Sequence, residues 1–129
     1  MATERRIFQR HPLAMDGLLY LCRGVNGDRL SRPVKCSITD LSRKGAGLIT
    51  PQIIVDNHHL FFAALESDQH ILHLEIEAGD DNTAPITIPV RPLWFDRLLH
   101  DDQKPFKIGI AFFAKISEEN YQFIKSRSR

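Results

Sequence analysis

In residues 71–77, Ile-Leu-His-Leu-Glu-Ile-Glu, apolar and polar side chains alternate without a break from Leu72 onward. Leu72, Leu74 and Ile76 fall on one face, and His73, Glu75 and Glu77 on the other. A period of two marks a strand with one buried face, and a helix scatters it around its surface. The same period recurs along the chain. Residues 18–23 align Leu18, Tyr20 and Cys22; residues 34–41 align Val34, Cys36 and Ile38. Residues 86–95 align Ile86, Ile88 and Val90, and residues 107–113 align Ile108, Ile110 and Phe112. Residues 46–50 add a short strand that Pro51 stops. Turn signals separate these runs: Asn26-Gly27-Asp28 between the first two, and polar stretches over 78–85 and 98–105. Pro89 and Pro92 mark the 86–95 strand as an edge or a bulged strand, because proline has no N–H to give the ladder.

The pattern changes at the end. Ser117 is placed to cap a helix over 118–125, with Glu118 and Glu119 in its first turn and Lys125 in its last. Ile116, Asn120, Phe123 and Ile124 give that helix a narrow stripe for packing on the sheet. Residues 52–69 contain Leu60-Phe61-Phe62-Ala63-Ala64-Leu65, where periodicity does not decide between a buried strand and a helical turn. The expected fold is mainly β: a small six-stranded antiparallel β-barrel with a C-terminal α-helix. One domain spans 1–129, with an N-terminal arginine arm over 1–12, the barrel over 13–114 and the helix over 115–129.

Composition narrows the function classes. The net charge of +1 hides an asymmetry, since residues 1–50 carry nine Lys/Arg against four Asp/Glu and residues 51–102 two against ten. A basic start beside an acidic middle fits a local anion site better than a uniformly basic nucleic-acid surface. No apolar run reaches membrane-span length, and the charged first residues lack a signal-peptide core. The cytoplasm is therefore the expected location, with Cys22 and Cys36 as reduced core thiols. Six histidines occur without H-E-x-x-H, C-x-x-C or a compact carboxylate cluster, so no metal is expected and the histidines are read as exposed and structural. Neither G-x-S-x-G nor a P-loop is present, and the chain is read as no enzyme.

Two short motifs carry the chemistry. Asp40-Leu41-Ser42-Arg43-Lys44-Gly45 reads D-x-S-x-x-G at the end of the second strand. On extended backbone Asp40 and Ser42 share a face, with Leu41 turned to the core. A carboxylate and a hydroxyl side by side suit the neighbouring N–H donors of a guanine edge. Gly45 and Gly47, which flank Ala46, suit a backbone needing φ > 0 or close approach by another group. Upstream, Arg6-Ile7-Phe8-Gln9-Arg10 reads R-x-x-x-R, preceded by Arg5.

In order and separation these two motifs resemble those of the PilZ family of bacterial cyclic di-GMP receptors. The strand with Trp94, the glycine-containing strand over 107–113 and the terminal helix extend the resemblance over nearly the whole chain. It implies a ligand, cyclic di-GMP, and no cofactor. Arg6 and Arg10 would clamp it, with Arg5 as a further contact, because a guanidinium fork matches phosphate oxygens or guanine O6/N7. Asp40 and Ser42 would read a guanine edge, and Gly45 would allow the turn. Trp94 fits a stacking surface or a core position equally well. The resemblance implies a stand-alone receptor whose arm changes on binding and signals to an unidentified protein partner. Two other readings compete: a PilZ-like adaptor that binds only protein, and a small nucleic-acid-binding barrel. Against the second, most phenylalanines sit in apolar runs instead of among basic residues.

Overall fold

The computed structural model of the chain describes residues 11–76 and 85–127. Its elements in chain order are β1 (His11–Arg23), β2 (Val34–Leu41), β3 (Gly45–Thr50), β4 (Ile54–Val55), β5 (His58–His59), α1 (Leu60–Glu66), β6 (His70–Ile76), β7 (Ile86–Arg97), β8 (Phe106–Phe112) and α2 (Glu118–Ser126). Six of the strands close into an antiparallel barrel in the order β1-β2-β3-β8-β7-β6. The alternating residues do what their period demands, except that in β1 Leu19 and Leu21 face inward while Leu18, Tyr20 and Cys22 lie on the outer face. Leu19, Leu21, Ile38, Leu48, Leu72, Leu74, Ile76, Ile108 and Ile110 fill the interior at 2% exposure or less. Closure also removes the sheet edges, which an open six-stranded sheet would leave to aggregate.

Three further features depart from the sequence expectation. β1 begins at His11 instead of near residue 18 and runs for 13 residues. Pro12 is accommodated because the register slips between Pro12 and Met15, at the start of the strand. Second, the run Leu60 to Leu65 takes the helical alternative, and a short hairpin that the sequence did not announce precedes it. β4 and β5 form a two-stranded hairpin through Asp56 and Asn57, whose φ values of 52° and 68° are those of a tight left-handed turn. α1 follows directly, and its Leu60 and Phe61 join the barrel core with Ile53 and Val55. His59 caps α1, its Nδ1 accepting the Phe62 N–H at 3.2 Å. Third, His73 is buried, not exposed: it points out of the barrel but lies under the β1–β2 loop. Its Nε2 lies 2.9 Å from the Val25 carbonyl, and its ring stacks on Tyr20.

α2 is held lightly. Ser117 accepts the Asn120 N–H at 3.0 Å, as a cap should, but Ile124 is the one buried residue of the helix. Among the described residues no helix is long and apolar enough to cross a membrane.

Candidate functional site

The D-x-S-x-x-G residues form the β2–β3 connection, and the local hydrogen bonds explain its sequence. The Ser42 N–H donates to the Gly45 carbonyl at 2.9 Å. The Ser42 hydroxyl oxygen accepts the N–H groups of Lys44 and Gly45, each at 3.2 Å. It is therefore a turn-maker of the kind serine commonly provides. Ser42 is only 4% exposed. Asp40 and Ser42 do not present their oxygens side by side to solvent; the serine oxygen is turned to the loop's own backbone. Leu41 is fully buried, as its position in the motif requires.

Gly45 is needed for close approach, not for a left-handed backbone. A Cβ there would run into the Ile110 carbonyl oxygen of β8. The turn is further tied to the segment before α2. The Phe112 N–H donates to the Lys44 carbonyl at 2.7 Å, and the Ile116 N–H to the Arg43 carbonyl at 2.9 Å. Arg43 returns the contact, its Nε donating to the Ile116 carbonyl at 2.9 Å and its guanidinium lying 3.6 Å from the Glu118 carboxylate.

On the outer surface, strand register assembles a row. Asp40 pairs with Gly47, Gly47 with Gly109, and Gly109 with Trp94. The row crosses β2, β3, β8 and β7, a span of about 14 Å at ordinary strand spacing. Two irregularities aim its ends. The β2–β3 register slips between Ile38 and Asp40, so Ile38 and Leu41 can both face inward while Asp40 faces out. The β7–β8 register slips between Pro92 and Trp94, so Leu93 and Trp94 are both exposed, at 51% and 46%. A bulge re-aims side chains in this way. Trp94 is thus a surface residue, and the choice between stacking surface and core position falls against the core.

Both end residues fold toward the middle. A Cβ at Gly47 would lie 2.5 Å from Asp40 Oδ2, and one at Gly109 would collide with the Trp94 indole. The carboxylate and the indole therefore rest on glycine backbone. Gly47 was visible in the sequence beside Gly45 as a residue suited to close approach, whereas Gly109 and Arg43 were missed. A signal for Gly109 was available, because glycine inside an alternating strand marks close approach by another group.

Arg5, Arg6 and Arg10 lie outside the described residues. β1 begins beside the motif, with His11 opposite Leu41 and Pro12 opposite Asp40. Among the described residues no three His, Cys, Asp or Glu side chains are grouped to hold a metal ion.

Comparison with solved structures gives the fold a name. The chain is similar to the PilZ domain with c-di-GMP of YcgR from Escherichia coli, at 11% identity and a TM-score of 0.56, over 95% of this chain and 90% of that one. It is similar to the same degree, 11% and 0.56, to the Borreliella burgdorferi PlzA protein in complex with c-di-GMP. That match covers 92% of this chain but 49% of the other. No family model and no curated protein matches the sequence. The fold is PilZ-like: a closed six-stranded barrel followed by a C-terminal helix.

Proposed function

We propose that this protein is a receptor for cyclic di-GMP, without catalysis of its own, and that the ligand lies on the outer row from Asp40 to Trp94. The observation that carries this reading is the row itself: a carboxylate at one end, an exposed indole at the other, and two glycines between. Guanine has neighbouring N–H donors on one edge and a flat π face. Asp40 accepts from the edge, and Trp94 offers a surface for the face. Gly47 and Gly109 leave room for the Asp40 carboxylate and the Trp94 indole to lie along the strands, where the ligand meets them. Ser42 and Gly45 serve the site by fixing the turn beside it.

The charge of two phosphodiesters falls to the arginines. Arg10 is bonded to His11, whose neighbour Pro12 pairs with Asp40. Arg5, Arg6 and Arg10 precede this point in the sequence, and their planar forks suit phosphate oxygens and guanine O6/N7. Binding fixes this arm against the barrel, and the surface so formed is what a protein partner in the cytoplasm would read. The two similar structures support the ligand class, since both are described with c-di-GMP.

Calorimetry tests the reading. Cyclic di-GMP should bind with a Kd near micromolar, roughly −8 kcal/mol, and cyclic di-AMP more weakly. No heat from either at well above that concentration would overturn it and leave the protein-only adaptor.

A further inference from the structure

Beside the Asp40–Trp94 row lies a groove of about 330 Å³ that the sequence motifs do not include. Lys44, Gly45, Arg91, Leu93, Ala111 and Phe113 line it. Arg91 and Gly45 are both cross-strand partners of Ala111, so the groove crosses β7, β8 and β3 as the first row does. It is displaced by two residues along β3 and β8, about 7 Å. Gly45 belongs to the motif turn, so groove and row are continuous. The bulge in β7 divides them, sending Trp94 to the row and Leu93 to the groove.

The groove's chemistry is that of a nucleotide. Two cations, Lys44 and Arg91, line it, and no lining residue is acidic. Its apolar walls, Leu93 and Phe113, are 51% and 46% exposed, enough to take a flat ring. The Arg91 guanidinium sits 5.0 Å from the centre of the Phe113 ring, which holds a planar fork at the groove wall. On the far side of Arg91 and Phe113 a second groove, of about 320 Å³, contains Asp68, which disfavours a phosphate there.

We infer that this groove is a second subsite, which takes the other guanylate half of the same cyclic dinucleotide. Arg91 shares a phosphodiester there with the arm arginines, and Leu93 and Phe113 flank the base. The inference rests on the cyclic di-GMP reading of the row, and it makes Arg91 a ligand-binding residue alongside the motif residues. A single molecule then spans both sides of the β7 bulge.

Titration of the isotopically labelled full chain with cyclic di-GMP, followed by amide and indole NMR signals, separates the two claims. Signals of Gly47, Gly109 and the Trp94 indole report the row; those of Arg91, Ala111 and Phe113 report the groove. Movement of both sets at one shared midpoint is expected. Movement of the row alone overturns the second subsite and leaves the reading of the row intact. Movement of neither set overturns both. In the same experiment Arg91→Gln, which keeps a polar side chain and removes the charge, should weaken binding about tenfold with the row signals still responding. Unchanged affinity in that variant would remove Arg91 from the site.

Discussion

Asp40 and Trp94 stand at opposite ends of one row of cross-strand partners, and each rests on a glycine, Asp40 on Gly47 and Trp94 on Gly109. The two residues are far apart in sequence and on strands that are not hydrogen-bonded neighbours in the barrel. Register alone brings them into one line, and two bulges turn both of them outward.

This arrangement separates two glycines that look alike in sequence. At Gly45 an added methyl meets the backbone of Ile110, which cannot move without shifting β8. Gly45→Ala should therefore cost about 1–3 kcal/mol of stability. At Gly47 the methyl meets the end of the Asp40 side chain, which can swing away. Gly47→Ala should melt close to wild type and bind cyclic di-GMP about tenfold more weakly. Thermal melting and calorimetry on both variants check this. Equal melting points for the two would contradict the close-approach account of Gly45.

Ser42 gives a prediction of the same kind. Its hydroxyl satisfies the N–H groups of Lys44 and Gly45. Ser42→Ala removes that acceptor from a buried turn and should cost about 1–2 kcal/mol, measurable by denaturant unfolding. A variant with wild-type stability and lost binding would instead assign the hydroxyl to the ligand.

Much of this fold was legible in the chain, because strands with one buried face carry a period of two. The residues of β6, β7 and β8 announce their faces directly. The site was legible only in part. Asp40 and Trp94 were visible as candidates, but their alignment depends on bulges near Thr39 and Leu93, and a bulge leaves no fixed mark in a single sequence. The serine of D-x-S-x-x-G invites reading as a ligand contact, since nothing local distinguishes it from a turn-maker until its backbone partners are known. Residues 52–69 were opaque because a short hairpin and a short helix follow each other there without a loop.

His59 makes stability depend on pH. Burial holds its imidazole below the usual histidine range, and its Nδ1 is occupied as the cap acceptor of α1. The folded chain thus favours the neutral ring, whereas the unfolded chain takes up its proton near the ordinary value of about 6.5. The contribution is complete above that pH and is lost as pH falls through it toward the depressed folded value. His59→Asn keeps a capping oxygen and cannot titrate. Its Tm should fall less than that of the wild type between about pH 7 and about pH 5. Parallel curves would mean that His59 does not contribute.

The two thiols should be inert in the native protein. Cys22 and Cys36 are both free and buried. Burial is the main reason that the Cys36 thiol is pushed up to about 12, and burial raises that of Cys22 as well. Cys36 lies opposite Gly17, while Cys22 is farther along β1, about 17 Å at strand rise and well beyond disulfide reach. A thiol reagent at about pH 8 should label neither cysteine until denaturant is added, because the thiolate is the reacting form. Rapid labelling of Cys36 in the folded protein would contradict its burial.

Arg43 joins the motif turn to α2 through the Ile116 carbonyl and the Glu118 carboxylate. Arg43→Ala should leave the barrel folded and loosen α2, which buries Ile124 alone. Amide hydrogen exchange should accelerate over 118–126 and stay unchanged over 106–112. Equal protection of α2 in both proteins would show that Ile124 is sufficient to hold it.

The central claim is that cyclic di-GMP lies against the row that ends in Trp94. The chain has one tryptophan, and it is 46% exposed, so its fluorescence reports that row and nothing else. Titration with cyclic di-GMP should give a saturable change in that fluorescence, with a midpoint near micromolar that matches the calorimetric Kd. Binding heat without any change at Trp94 would move the ligand elsewhere on the barrel, and neither signal at concentrations well above micromolar would contradict the account as a whole.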